Sequence, residues 1–395
     1  MTGKFNVKNT LKQNMMLIAL VLVMVIFDVA IRSSGRGSLF DPGNLTNLIS
    51  QNAYVVVLAT GMLLCILTGG NIDLSVGSVV ALVGAIAGTL IVNLHANIYL
   101  TMLICLVAGL AIGAWQGFWI AYVRIPPFIV TLAGMLLWRG VALIVLNGLT
   151  LSPFPQNYLK YFTSFVPGGE TGADKSAMVL GVSVAIGALI SIIFIASEVI
   201  SRAKKIKKKY ETVAFPVWIA RIVIVAAVTV ALSFLLGSNK GIPVILILIG
   251  VVVLAYSYFT AKTVPGRYLY AIGGNEKAAK MSGVNTNKML FFAYANMGFL
   301  AALTALMCVA RFNSAAPSAG NNYELDAIAS CFIGGASAYG GTGTVGGAVI
   351  GAVFMGVLNQ GMSIIGIDAN WQRAVKGLVL LAAVVFDVVS KNKKK

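Results

Sequence analysis

Apolar runs of about 17–25 residues recur along this chain from beginning to end, separated by short polar segments. Runs of that length cross about 30 Å of hydrocarbon as α-helices. One soluble core of this size cannot absorb so many. Only 10% of the 395 residues are charged and 58% are hydrophobic, whereas soluble domains carry roughly 25% charge. The fold class that follows is all-α and polytopic, an integral membrane protein with residues 1–395 forming a single transmembrane domain.

Twelve spans are expected, at about 13–31, 52–70, 78–94, 98–123, 125–147, 177–200, 215–236, 241–260, 289–310, 326–340, 343–365 and 369–389. The first run lacks a small-residue cleavage site, so it reads as a helix rather than a signal peptide. The span 326–340 is the weakest, because its Gly-rich end, 334-GGASAYGGTGTVGG-347, also suits a re-entrant segment buried in protein. Residues 39–51 have apolar positions at helical spacing after a Pro-Gly start and read as a short amphipathic helix at the outer interface.

The formal net charge is +17, but 18 of the 29 Lys and Arg residues fall in four short stretches flanking the spans: Lys4–Lys12, 202–209, Lys262–Lys288 and Lys391–Lys395. Positive charge so placed marks cytoplasmic loops rather than a nucleic-acid surface. It also suits contact with anionic membrane lipid. Both termini and the segments 201–214 and 261–289 are therefore expected in the cytoplasm, with 37–51, 148–176, 237–240 and 311–325 outside. The long segment 152–176 reads equally as a docking surface and as a plain loop.

Chemistry of the enzymatic kind finds little support. His95 is the only histidine, and Cys65, Cys105, Cys308 and Cys331 sit inside apolar runs without ligand spacing, so no metal site and no cofactor is expected. The string 168-GGETGADKS-176 lacks the contiguous Gly-Lys-Ser of a phosphate loop.

Three features carry functional interest. The first is a polar, helix-forming island at about 271–285. Gly273 and Gly274 break the preceding helix, Asn275 is placed to cap a two-turn helix, and Gly283 to end it. A helix so short needs something to hold it. It reads as a docking element, with Ala278 and Ala279 suited to a groove, or as an ordinary loop. The second is an internal echo between 69-GGNIDLSVGSVVALVGAIAG-88 and 334-GGASAYGGTGTVGGAVIGAV-353. Paired Gly-interrupted segments point to discontinuous helices beside a pathway, or to tight helix packing. On the pathway reading Asn71, Asp73, Ser75 and Ser337 line it; on the alternative Asp73 only caps a helix. The third is Arg139, deep in the span 125–147, which serves a structural ion pair or the pathway.

Taken together, 69-GGNIDLSVGS-78, 125-IPPFIVTLAGMLLWRG-140, 271-AIGGNEKAAKMSGVN-285, 324-ELDAIASCFIGG-335 and 340-GGTGTVGGAVIGA-352 resemble, in order, the permease subunits of bacterial ATP-binding-cassette importers for monosaccharides. The resemblance runs from about residue 40 to the end. A ten-helix core with an inserted basic loop and hairpin at 198–240 looks most like the xylose-type and multiple-sugar permeases. The resemblance implies a permease in the bacterial cytoplasmic membrane with no ATPase site of its own. It also implies cytoplasmic ATPase subunits, an extracytoplasmic sugar-binding protein and a second permease copy as partners. Within 261–289 it implies a coupling helix carried by Gly274, Asn275, Glu276, Ala278, Ala279, Ser282 and Gly283. The competing expectation is a proton-coupled secondary sugar transporter, which needs no docking helix.

Overall fold

The computed structural model describes residues 15–168, 173–210, 212 and 214–392. The basic stretch Lys4–Lys12, the start of the first run, residues 169–172 of the phosphate-loop lookalike and Lys393–Lys395 lie outside them.

Fifteen α-helices follow one another among the described residues. They are α1 (Met15–Ser33), α2 (Pro42–Leu67), α3 (Val76–Gly88, prolonged by a π turn over Thr89–Asn93), α4 (Ile98–Ala121) and α5 (Pro127–Leu146). Next come α6 (Gln156–Thr163), α7 (Ala173–Lys207), α8 (Phe215–Gly237), α9 (Val244–Lys262) and α10 (Val264–Gly274). The last five are α11 (Glu276–Met281), α12 (Thr286–Phe312), α13 (Tyr323–Ile333), α14 (Val345–Ile365) and α15 (Ala369–Asn392). Two short strands, β1 (Phe165–Val166) and β2 (Ile242–Pro243), pair antiparallel with Phe165 opposite Pro243.

Many helix starts are written locally. Pro42 and Pro127 open α2 and α5, where a missing N–H costs nothing. Asn97 caps α4, its side chain accepting from the backbone N–H of Tyr99 and Leu100 at 2.9 and 3.2 Å.

Burial sorts the helices into a centre and a rim. In the most apolar stretches of α2 and α12, 78% of residues are buried, against 6% in α1 and 11% in α8. From Val55 to Leu67 every residue of α2 is buried, so this helix is apolar all round and enclosed all round. Helix α4 approaches α12 closely through small residues: Gly109 abuts Gly298 and Ala302, and Gly113 abuts Ala295.

Ten helices are long and apolar enough to cross a membrane among the described residues. The difference from twelve lies near the C-terminus. The expected span 326–340 is no span: α13 has 11 residues, about 16 Å at 1.5 Å per residue, and Gly334 and Gly335 end it. The segment before it descends through the bundle without helix, from Ala315 beside Gly88 to Gly320 beside Gly77. This loop and half-helix together replace one crossing. Helix α15 has spanning length at 24 residues but is not among the ten. Nor is there a separate interfacial helix at 39–51; residues 42–51 are the first turns of the 26-residue α2, uninterrupted by Gly or Pro between Asn44 and Thr60.

Residues 198–240 take in the end of α7 and all of α8, and the two helices meet where Gly187 faces Ser233 and Gly237 faces Ser183. The segment after α5 is packed down: Phe154, Tyr158 and Phe162 are buried, and the Tyr158 hydroxyl donates to the Leu306 carbonyl at 2.7 Å.

Candidate functional site

The two echoed segments are breaks between helices, and they touch. The first runs from Thr68 to Ser75. Gly69 and Gly70 turn the chain with φ of 130° and 76°, and the chain then climbs back into the interior. Asp73 is 3% exposed there, and its backbone N–H meets the Met62 sulfur at 3.4 Å. One oxygen of Asp73 accepts from both the N–H and the hydroxyl of Ser75, at 2.8 and 2.6 Å. Gln116 of α4 donates to the Ser75 hydroxyl oxygen at 2.7 Å. Asp73 therefore orders the turn that leads into α3 while buried in the bundle.

The second break, Gly334 to Thr344, is held by a Ser337 N–H to Thr342 carbonyl bond at 3.0 Å and by the Ser337 hydroxyl accepting from Tyr339 N–H at 3.1 Å. Thr344 caps α14 through Gly347 N–H at 3.0 Å. The breaks are joined directly. Gly341 N–H donates to the Leu67 carbonyl at 3.1 Å, and a side chain on Gly70 would overlap the Ala338 carbonyl.

The polar island sits on this junction. Thr263, Asn275 and Asn285 cap α10, α11 and α12 in turn, each accepting a backbone N–H at 2.9–3.1 Å. Leu269 and Ile272 of α10 are buried, so α10 rests on the bundle. Gly273 lies between both breaks: a Cβ there would overlap the Leu67 carbonyl oxygen and the Gly341 backbone. The Tyr270 hydroxyl donates to the Gly343 carbonyl at 3.0 Å. From the α4–α5 turn, Arg124 pairs with Glu276 at 2.7 Å and also bonds Asn287.

Of the seven residues expected in a coupling helix, one is buried. Ala279 is 5% exposed, packed inward, because the Val284 N–H folds back onto its carbonyl at 3.0 Å. The outward face carries Lys277, Ala278, Lys280 and Ser282. It also carries Met281, 90% exposed. Met281, Arg124 and Tyr270 escaped the sequence reading. The first had a signal, an apolar side chain among polar neighbours; the others pair across 73 residues or more.

The chain matches, over residues 44–384, the family of branched-chain amino acid transport system permease components. It belongs to that family. The xylose transport system permease protein XylH of Haemophilus influenzae is 37% identical over 378 residues, 96% of each chain. XylH of Escherichia coli is 36% identical, over 96% of this chain and 92% of its own. The ribose import permease protein RbsC of Escherichia coli is 34% identical, over 94% and 93%. No solved structure matches the chain significantly. As a permease component it is a transport subunit with no ATPase site of its own. Its bacterial relatives and its ten apolar helices place it in the bacterial cytoplasmic membrane as a multi-pass protein.

In this permease Asn71, Asp73, Ser75 and Ser337 belong to the two touching breaks. Arg139 stands apart: its guanidinium donates to the carbonyls of Pro317 and Ala319 at 3.3 and 2.5 Å and ties down the descending loop. A second polar cluster was not foreseen. Asp326, in the first turn of α13, is 2% exposed. It pairs with Lys376 of α15 at 3.0 Å and accepts from the Tyr54 hydroxyl at 2.5 Å. Tyr54 stacks on Tyr323 with centroids 3.9 Å apart. A carboxylate in a first helical turn suits the helix dipole, and a charge at this depth needs its partner. The permease thus holds two helix starts inside the bundle, α3 with Asp73 just before it and the half-helix α13 with Asp326 in its first turn.

Proposed function

We propose that this chain is the membrane permease of an ATP-driven importer for a monosaccharide of the xylose type. Its partners on this reading are a pair of cytoplasmic ATPase subunits, an extracytoplasmic sugar-binding protein and a second permease copy. The termini and α11 face the cytoplasm, and α10–α11 is the coupling element. The similarity to xylose and ribose permeases supports the substrate class.

The observation that carries the reading is the seat of the island. Residues 274–283 present an exposed face of Lys277, Ala278, Met281 and Ser282, while Gly273, one residue before them, is wedged against both helix breaks. A push on the exposed face arrives at the two places where the membrane helices are interrupted. A proton-coupled symporter has no use for such a face.

The test is Ala278→Trp, which adds bulk outside the fold. The variant is expected at normal abundance, with uptake of labelled D-xylose, or whichever pentose or hexose the wild type imports, down more than tenfold. Co-purification of the ATPase should fall in parallel. Full uptake by this variant would hand the chain to the symporter reading.

A further inference from the structure

At the end of the bundle opposite the island, where α2 begins and α12 ends, lies an open cavity of about 310 Å³. Its walls come from α2, the end of α6, the β1–β2 pairing, the start of α9 and the last turns of α12. The α2 wall is a stripe: Asn47, Ser50, Gln51 and Tyr54 at helical spacing. Helix α2 is among the most buried in the molecule, yet Asn47 and Gln51 remain exposed, and the cavity is what exposes them. Amides on a core helix are costly unless they are wet or bound.

These groups are free. Among the described residues the side chains of Asn47, Ser50, Gln51 and Arg311 make no hydrogen bond within the chain. Two amides supply donors and acceptors together, a hydroxyl supplies both, and a guanidinium supplies a planar fork of donors. Phe162, Phe312 and the Tyr54 ring add apolar faces. Lys240 joins Arg311 in the lining and no carboxylate does, so the cavity is basic and offers nothing to a metal ion or to a transported proton. Its volume is at the small end of ligand pockets, about 300–1,000 Å³, fitting one ring and not a chain of them. Mixed donors and acceptors beside aromatic faces suit a molecule with hydroxyls around its edge and C–H groups on its faces.

We propose that this cavity receives one monosaccharide ring on its way into the permease, an inference that rests on the importer reading and adds the place where the sugar is held. Tyr54 then forms the floor, and its hydroxyl reaches Asp326. An occupant of the cavity therefore bears on the residue that joins α2, α13 and α15.

Ser50→Cys in the full chain tests it, with Cys308→Ala to remove the one native thiol lining the cavity. The rate of labelling by a membrane-impermeant maleimide is measured in membranes with D-xylose, D-ribose, D-glucose or D-glucuronate present. At least one of these sugars is expected to slow labelling threefold or more, and adding Gln51→Leu should abolish the protection. Failure to label Cys at 50, equal rates with every sugar and without sugar, or protection that survives Gln51→Leu each overturns the proposal. ATP-dependent uptake of the same sugars is scored separately. Uptake without protection removes the cavity and leaves the importer reading; protection without uptake does the reverse.

Discussion

Two basic segments of this chain look alike in sequence and are built on opposite plans. Residues 261–289 and 198–214 both interrupt apolar runs, and both carry clustered Lys and Arg. The first is knitted into the molecule. Its helices are capped in succession, Leu269, Ile272, Ala279 and Val284 are buried, and Arg124 reaches over from another turn to hold Glu276. The second is the overhang of a 35-residue helix. From Ala203 to Tyr210 every residue is exposed. Its strongest contacts stay within the hairpin: Glu198 to Arg221 at 3.5 Å and Arg202 over the Trp218 ring at 4.7 Å. Charge decides which side of the membrane a segment keeps to. Whether that segment moves anything depends on what it is wedged against.

The sharpest way to break this contrast is Gly273→Val. Overpacking a filled site costs about 1–3 kcal/mol, and here the added atoms meet backbone on two sides, which has no rotamer to yield. Uptake is expected to fall at least a hundredfold, with reduced permease abundance on a membrane blot. Wild-type uptake would mean that α10 is not seated on the breaks.

Arg124→Ala should act more gently. The pair is 42% exposed on both sides, and such pairs are worth about 0.2–1 kcal/mol. A two- to fivefold loss of uptake at unchanged abundance is expected, with Glu276→Ala no worse than Arg124→Ala and the double variant equal to either single one. Additive losses would show that the two side chains act separately.

The smallest effect belongs to the other segment. Replacing Lys204, Lys205, Lys207 and Lys208 together by Gln should leave uptake within twofold of wild type, because nothing in the bundle leans on them. A tenfold loss with normal abundance and orientation would erase the distinction between the two segments.

The spans were legible because hydropathy alone decides them, and the island because Gly, Asn and Gly punctuate it in the order that a short helix requires. The N-terminal extension of α2 was misread. Asn47, Ser50 and Gln51 look like the polar face of an interfacial helix, whereas they face a cavity and no residue there stops a helix. The half-helix α13 hides because its apolar residues Ala327–Ile333 run into the Gly-rich stretch 334–347, which reads as the far end of one span. That Ala279 faces inward was not legible because a six-residue helix has only about one turn and a half to assign to its faces, too few to read a period. The Asp326–Lys376 pair was out of reach: each residue alone resembles a helix-end charge, and only the packing of α15 on α13 brings them to 3.0 Å.

The junction of Leu67, Gly70, Gly273, Ala338 and Gly341 is made of main chain against main chain. Side-chain contacts behave like springs, since a rotamer can swing and take up part of a displacement. This joint has no such slack. A shift of α10 by a fraction of an ångström must appear in full as a shift of both breaks, or else open the joint. The stiffness comes from what these positions lack, so substitution at them can only loosen or jam it, and tuning of the linkage is left to the side chains at its two ends.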